Sequence, residues 1–154
     1  MTDGVFTIAR GWEAYYASLL AASDSLIAVL LRGVEADDLL RRHDTLSALL
    51  ASNTEANFTG YTASPTGKPL TGVTAVVDDD ADTVIADAVD FSWATAGGAT
   101  NNTIVKLVIC YKPSSGAANS AIVPVWHWDS GLPVTTDGNP LNITVAADGL
   151  WRSG

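Results

Sequence analysis

The spacing of apolar residues changes once along this chain, near residue 52, and that change narrows the folds open to it. Before it, Trp12, Tyr15, Tyr16, Leu19 and Leu20 recur at i, i+3, i+4, i+7 and i+8. A helix from about residue 10 to 22 would carry all five on one face. Leu26 to Leu31 is a short unbroken apolar run closed by Arg32-Gly33, the pattern of a strand buried on both faces. Glu35 to Ala51 returns to helical spacing, with Leu39, Leu40, Leu46, Leu49 and Leu50 supplying core side chains. Asp44 is placed to cap a second short helix starting at Thr45, because its carboxylate can accept the free amides of a first turn.

From Asn53 onward the pattern is β. Phe58–Thr62, Val73–Val77, Val84–Val89 and a segment opening with Phe91–Trp93 are short and rich in Val, Thr, Ile and aromatic residues. Asp78 to Asp82 should form a hairpin loop between two of them. Ile104 to Tyr111 is apolar on both parities apart from Lys106, which predicts a central strand. Ile122–Trp128 carries Pro124, which cannot donate to a ladder and so predicts an edge or a bulge. Leu141, Ile143 and Val145 alternate with polar residues after the Asp137-Gly138 turn. The expected class is α+β: mainly an antiparallel β-sandwich or small barrel with an N-terminal helix-strand-helix part. One domain over 1–154 is the simplest account, with a helical/strand part at 1–52 and a β-rich part at 53–154.

Composition removes several function classes. The 154 residues are 47% hydrophobic and 16% charged, which argues against disorder. With 8 basic against 17 acidic residues the net charge is −9. That sign disfavours nucleic acid and anionic membrane as partners, since both demand excess Lys and Arg. Cys110 is the one cysteine, so no internal disulfide and no multi-cysteine metal site can form. The N-terminus lacks the pattern of a secretory signal. Ala14 to Leu31 is apolar enough to test as a membrane span, but Asp24 lies within it, and a carboxylate at mid-bilayer costs about 2.5–3.5 kcal/mol. The soluble reading is favoured.

Few residues suggest chemistry. Asp78-Asp79-Asp80-Ala81-Asp82 offers oxygen ligands for Ca²⁺, yet its spacing does not match an EF-hand, and a solvated hairpin tip explains it better. His127 and Asp129 share a strand face and could form a His-Asp pair, but no nucleophile elbow accompanies them. His43 sits in a leucine-rich stretch, where a boundary or packing role is favoured. Glycine-rich phosphate loops and zinc-binding histidine spacings are both missing. The sequence therefore predicts no catalytic, cofactor-binding or metal residues. Trp126 and Trp128 should share a strand face, where they either close the core or subunit contacts or, if exposed, stack on sugar rings.

An ordered set of segments resembles a family of small virion structural proteins of tailed bacteriophages, especially those of actinobacteria. The set runs through Thr7-Ile8-Ala9-Arg10-Gly11, Tyr15-Tyr16, Asp24 to Leu31, Glu35-Ala36-Asp37 and His43 to Leu50. Its most characteristic piece is Asn53-Thr54-Glu55-Ala56-Asn57-Phe58-Thr59-Gly60-Tyr61, and it continues through Val73–Asp79, Ser92-Trp93, Val108–Tyr111, Ile122–Pro124 and Ala147-x-Gly149. The resemblance implies a non-enzymatic particle component of the capsid decoration, or minor capsid, type. It implies binding to the major capsid protein on the outer shell, a homotrimer, and assembly in the host bacterial cytoplasm, with no cofactor. Candidate docking residues are Val5, Phe6 and Ile8, on an N-terminal segment that is either a free arm or a first strand of its own sheet, together with Trp126 and Trp128. The alternative is a tail- or head-attached module contacting host-surface glycans through Trp126, Trp128 or Tyr111.

Overall fold

The apolar run Leu26–Leu31 becomes a strand with no wet face, and the rest of the molecule is arranged to cover it. In the computed structural model, which describes residues 3–153, the chain order is as follows. The first elements are β1 (Gly4–Val5), a 3-10 turn (Thr7–Ala9), α1 (Glu13–Ser18), β2 (Ser25–Gly33), α2 (Asp37–Leu40) and α3 (Leu46–Ser52). Then come β3 (Thr54–Glu55), β4 (Lys68–Pro69), β5 (Thr74–Asp78), β6 (Thr83–Asp87), β7 (Phe91–Trp93) and β8 (Thr103–Ile104). The last are β9 (Lys106–Lys112), β10 (Val123–Trp128), β11 (Val134–Thr135), β12 (Leu141–Ile143) and β13 (Trp151–Ser153).

The main sheet runs β1-β10-β9-β2-β3, with β4 also pairing β2, and every ladder is antiparallel. β2 and β9 pair without a break from Ser25↔Lys112 to Leu31↔Lys106. Because side chains alternate across a strand, Leu26, Ala28 and Leu30 join Leu107, Ile109 and Tyr111 in one core. Ile27, Val29 and Leu31 join Val108 and Cys110 in a second. The first core is closed by Ala86, Phe91, Trp93, Ile104 and Trp151 from three smaller sheets, β13-β6-β5, β12-β7 and β11-β8. The second is closed by Leu40, Leu46 and Leu49 of the two short helices, with Phe6 and Ile122. Each Leu or Ile hidden this way contributes about 1.5–3 kcal/mol. The architecture is α+β and mainly antiparallel β, in open sheets that do not close into a barrel.

Several local expectations change. β2 lies at the centre of the main sheet, so residues before and after 52 share one sheet and the helical part is no separate layer of its own. The helix expected over about 10–22 is only Glu13–Ser18, ended by Leu19 in a left-handed conformation (φ 45°). Its buried residues are Glu13 and Ala17, while Trp12, Tyr15 and Leu20 are 57%, 45% and 73% exposed. α1 packs on β5 and β6, and small Ala17 is what lets it approach. Thr45, not Asp44, caps α3: its Oγ1 accepts from the Ala48 amide at 3.2 Å. Phe58–Thr62 forms no strand, because the chain turns with Gly60 at φ 91° and the Tyr61 amide donates to the Phe58 carbonyl. Pro124 sits at a register shift in β10, opposite Cys110, which is the expected bulge. Asp78–Asp82 is a hairpin tip joining β5 to β6.

Candidate functional site

The alternation along β10 sends Trp126 and Trp128 to one face and His127 to the other, and each face builds a different feature. On the tryptophan face lies a cavity of about 620 Å³, lined by Trp126, Trp128, Leu141, Ile143 and Trp151. Trp151 arrives from β13 because the turn before it lies flat on β6. Gly149 there has φ 85°, and a Cβ would run into the Ala86 carbonyl oxygen, so only glycine fits. The Leu150 amide then donates to that carbonyl at 2.7 Å. Trp126 and Trp151 stack at 6.1 Å between centroids with 14° between planes. Trp128 Nε1 donates to the Leu150 carbonyl at 3.1 Å. The Nε1 atoms of Trp126 and Trp151 are buried and have no hydrogen-bond partner among the described residues. Asp3, Asn142, Thr144, Asp148 and Arg152 supply the polar part of the lining.

On the other face, charges are gathered inside the protein. Lys106 is fully buried, and its Nζ donates to Asp37 Oδ1 at 2.7 Å. The same Nζ faces His127 Nδ1 at 3.3 Å and Asp129 Oδ2 at 3.6 Å. His127 and Asp129 thus do share a face, but the ammonium stands between them, so they do not form a His-Asp relay. His127 is fully buried with Phe6 edge-on at 5.7 Å, and its Nε2 lacks a partner among the described residues. Burial first, then the Lys106 charge, push its pKa down to about 4, against the weaker upward pull of Asp37. The ring is therefore neutral near pH 7. Gly4 covers it: a Cβ at that position would stand 3.3 Å from Nε2. His43 is held elsewhere, against Glu35 at 2.6 Å. Although burial alone raises the Glu35 pKa, hydrogen bonds from Asn53 and His43 hold it below its usual value.

The remaining candidates fall in different places. The N-terminal segment is a first strand of its own sheet: Gly4 pairs with His127 and Val5 with Trp126, while Met1 and Thr2 lie outside the described residues. Phe6 is fully buried, a correction to its reading as a docking residue, because its ring fills the second core. Ile8 is 39% exposed. Tyr111 is buried too, donating to Asp24 Oδ2 at 3.0 Å, so it offers no open platform. Burial and that bond push its pKa up to about 12. In the acidic loop, Asp78 Oδ1 accepts the Ala81 amide at 3.1 Å and Oδ2 meets Arg152 at 3.4 Å. No metal-holding cluster of His, Cys, Asp or Glu exists among the described residues. Of the stripe expected on the first helix, Tyr16 and Leu19 pack on the first core, with Tyr16 4.8 Å from Tyr111 between ring centroids, while Trp12, Tyr15 and Leu20 point to solvent. Trp12 and Tyr15 meet edge-on at 5.6 Å, and Val76 and Val77 of the adjacent β5 are 57% and 66% exposed.

No family model matches this chain, and no curated protein or solved structure matches it either.

Proposed function

We propose that this chain is a non-enzymatic structural protein of a tailed-bacteriophage particle, a capsid decoration or minor capsid protein that binds the major capsid protein on the outside of the shell. The observation that carries this reading is the exposed apolar patch on and just beyond the two ends of α1. Trp12, Tyr15 and Leu20 are turned outward although the helix already buries Ala17 against β5 and β6. Exposed aromatic and aliphatic side chains that meet on one side of a molecule are the makings of a protein interface. Among the described residues β5 pairs only with β6, so its other edge is open to a further partner. The resemblance of Asn53–Tyr61 and its companion segments to phage virion proteins supplies the kind of partner. Docking through this face leaves the buried charges of the opposite core undisturbed. A trimer suits repeated attachment, since modest contacts on one lattice act together.

Quantitative mass spectrometry and image reconstruction of purified particles test this. The expected result is hundreds of copies per particle, on the capsid, as trimers. The triple variant Trp12→Ser, Tyr15→Ser, Leu20→Ser should stay folded and lose most of its occupancy. Absence from particles, or undiminished occupancy of that variant, overturns the reading.

A further inference from the structure

The cavity between β10, β12 and β13 belongs neither to the α1 face nor to the buried charges, and its lining has the chemistry of a ligand site. We infer that it is a binding site for a neutral saccharide of one or two pyranose units. Its volume, about 620 Å³, lies within the roughly 300–1,000 Å³ typical of small-molecule sites. Three of the five tryptophans of the chain meet there. An indole face is flat and apolar with a polar edge, matching the C–H face and hydroxyl rim of a pyranose. Leu141 and Ile143 continue the apolar wall, and Asn142 and Thr144, both exposed on the alternate positions, supply amide and hydroxyl groups at its margin.

Two further observations point to a guest, and one selects its charge. Trp151 is 4% exposed, yet its Nε1 has no acceptor among the described residues, and Trp126 Nε1 shares that condition. A buried donor left without an acceptor is costly, and both donors belong to rings of the cavity wall, so the wall gains where a guest lets those rings reorder and find an acceptor. Asp3 and Asp148 place two carboxylates in the lining against the single guanidinium of Arg152, which is already near Asp78 at 3.4 Å. That balance repels phosphates, sialic acids and uronic acids, and leaves carboxylate oxygens to accept sugar hydroxyls. This site does not depend on the virion reading, since none of its lining residues belongs to α1 or β5.

The full chain, labelled with ¹⁵N, should be titrated with the monosaccharides and disaccharides of glucose, galactose, mannose and N-acetylglucosamine, and with sialic acid and sialyllactose as the anionic probes. The indole N–H resonances of Trp126 and Trp151 should shift with at least one neutral sugar, while those of Trp12 and Trp93 stay fixed. Asn142→Ala, at an exposed position that leaves the fold intact, should weaken binding several-fold, and Trp126→Ala should weaken it at least tenfold. The inference is overturned by silence of the Trp126 and Trp151 resonances with every neutral sugar at saturating millimolar concentrations. Equal binding of sialyllactose, or unchanged affinity in both variants, overturns it as well.

Discussion

Lys106 interrupts a strand that is otherwise apolar, and such an interruption is a demand for partners. It is met by Asp37 at the start of α2 and by Asp129 just past β10, two residues far from it in sequence. The pairing therefore ties α2 to the main sheet. Removing one member of a buried charge group leaves the others uncompensated, so Lys106→Ala should cost about 3–5 kcal/mol in urea denaturation. His127 adds a pH term of definite sign. Its folded pKa of about 4 lies below the ordinary 6.5, so the unfolded chain takes up a proton that the folded one refuses. This part of the stability is complete above pH 6.5 and is lost as pH falls toward 4, by about 3 kcal/mol in all. The unfolding free energies of the native chain and of His127→Leu, measured between pH 7.5 and pH 4.5, should converge as the pH falls; parallel curves would refute the assignment. At this scale the sequence was half legible. Lys106 announced a buried charge, but its partners depend on how β10 and α2 fold over β9, which no local spacing encodes.

At the scale of elements, strong local patterns survived and weak ones yielded to packing. Leu26–Leu31 and Leu107–Tyr111 had apolar residues on both parities, and only the interior of a covered sheet satisfies that, although Ile104, expected on the same strand, falls in β8 of a separate small sheet. The stripe over residues 12–20 was equally regular, yet it divides: Tyr16 and Leu19 pack on the first core while Trp12, Tyr15 and Leu20 face water, because periodicity says that residues lie near one another and not which of them the fold covers. Ala17, fully buried, marks the line of closest approach to the core, and Tyr16 and Leu19 beside it are covered in part. A capping difference is measurable in the same way. Thr45→Ala should destabilise by about 1 kcal/mol, while Asp44→Ala should change stability by no more than about 0.5 kcal/mol. The same denaturation assay separates them, and a larger loss at Asp44 would contradict the Thr45 Oγ1 bond. The N-terminal segment follows the same logic. Phe6 fills the second core and the Phe6 amide donates to the Val125 carbonyl at 2.9 Å. Phe6→Ala should therefore cost about 3–5 kcal/mol, where a free arm would lose nothing in stability.

Across the whole molecule, the tryptophan groove remained hidden from sequence because it is assembled from distant segments. Trp151 joins Trp126 and Trp128 only because Gly149 lays the final turn on β6. The net charge of −9, with four aspartates at the β5–β6 tip, raises a rival to apolar docking, namely that the tip itself seeks a basic patch on the shell. Salt distinguishes the two. The screening length falls from about 10 Å at 0.1 M to about 3 Å at 1 M, which weakens exposed charge pairs severely. Burial of Trp12, Tyr15 and Leu20 carries no such dependence, and screening a protein of this charge relieves repulsion between neighbouring copies. Occupancy on shells should therefore hold or rise as NaCl is raised through that range, measured by sedimentation with particles. Release by salt, together with loss of binding in Asp79→Asn, Asp80→Asn, would move the docking surface from the helix to the hairpin tip.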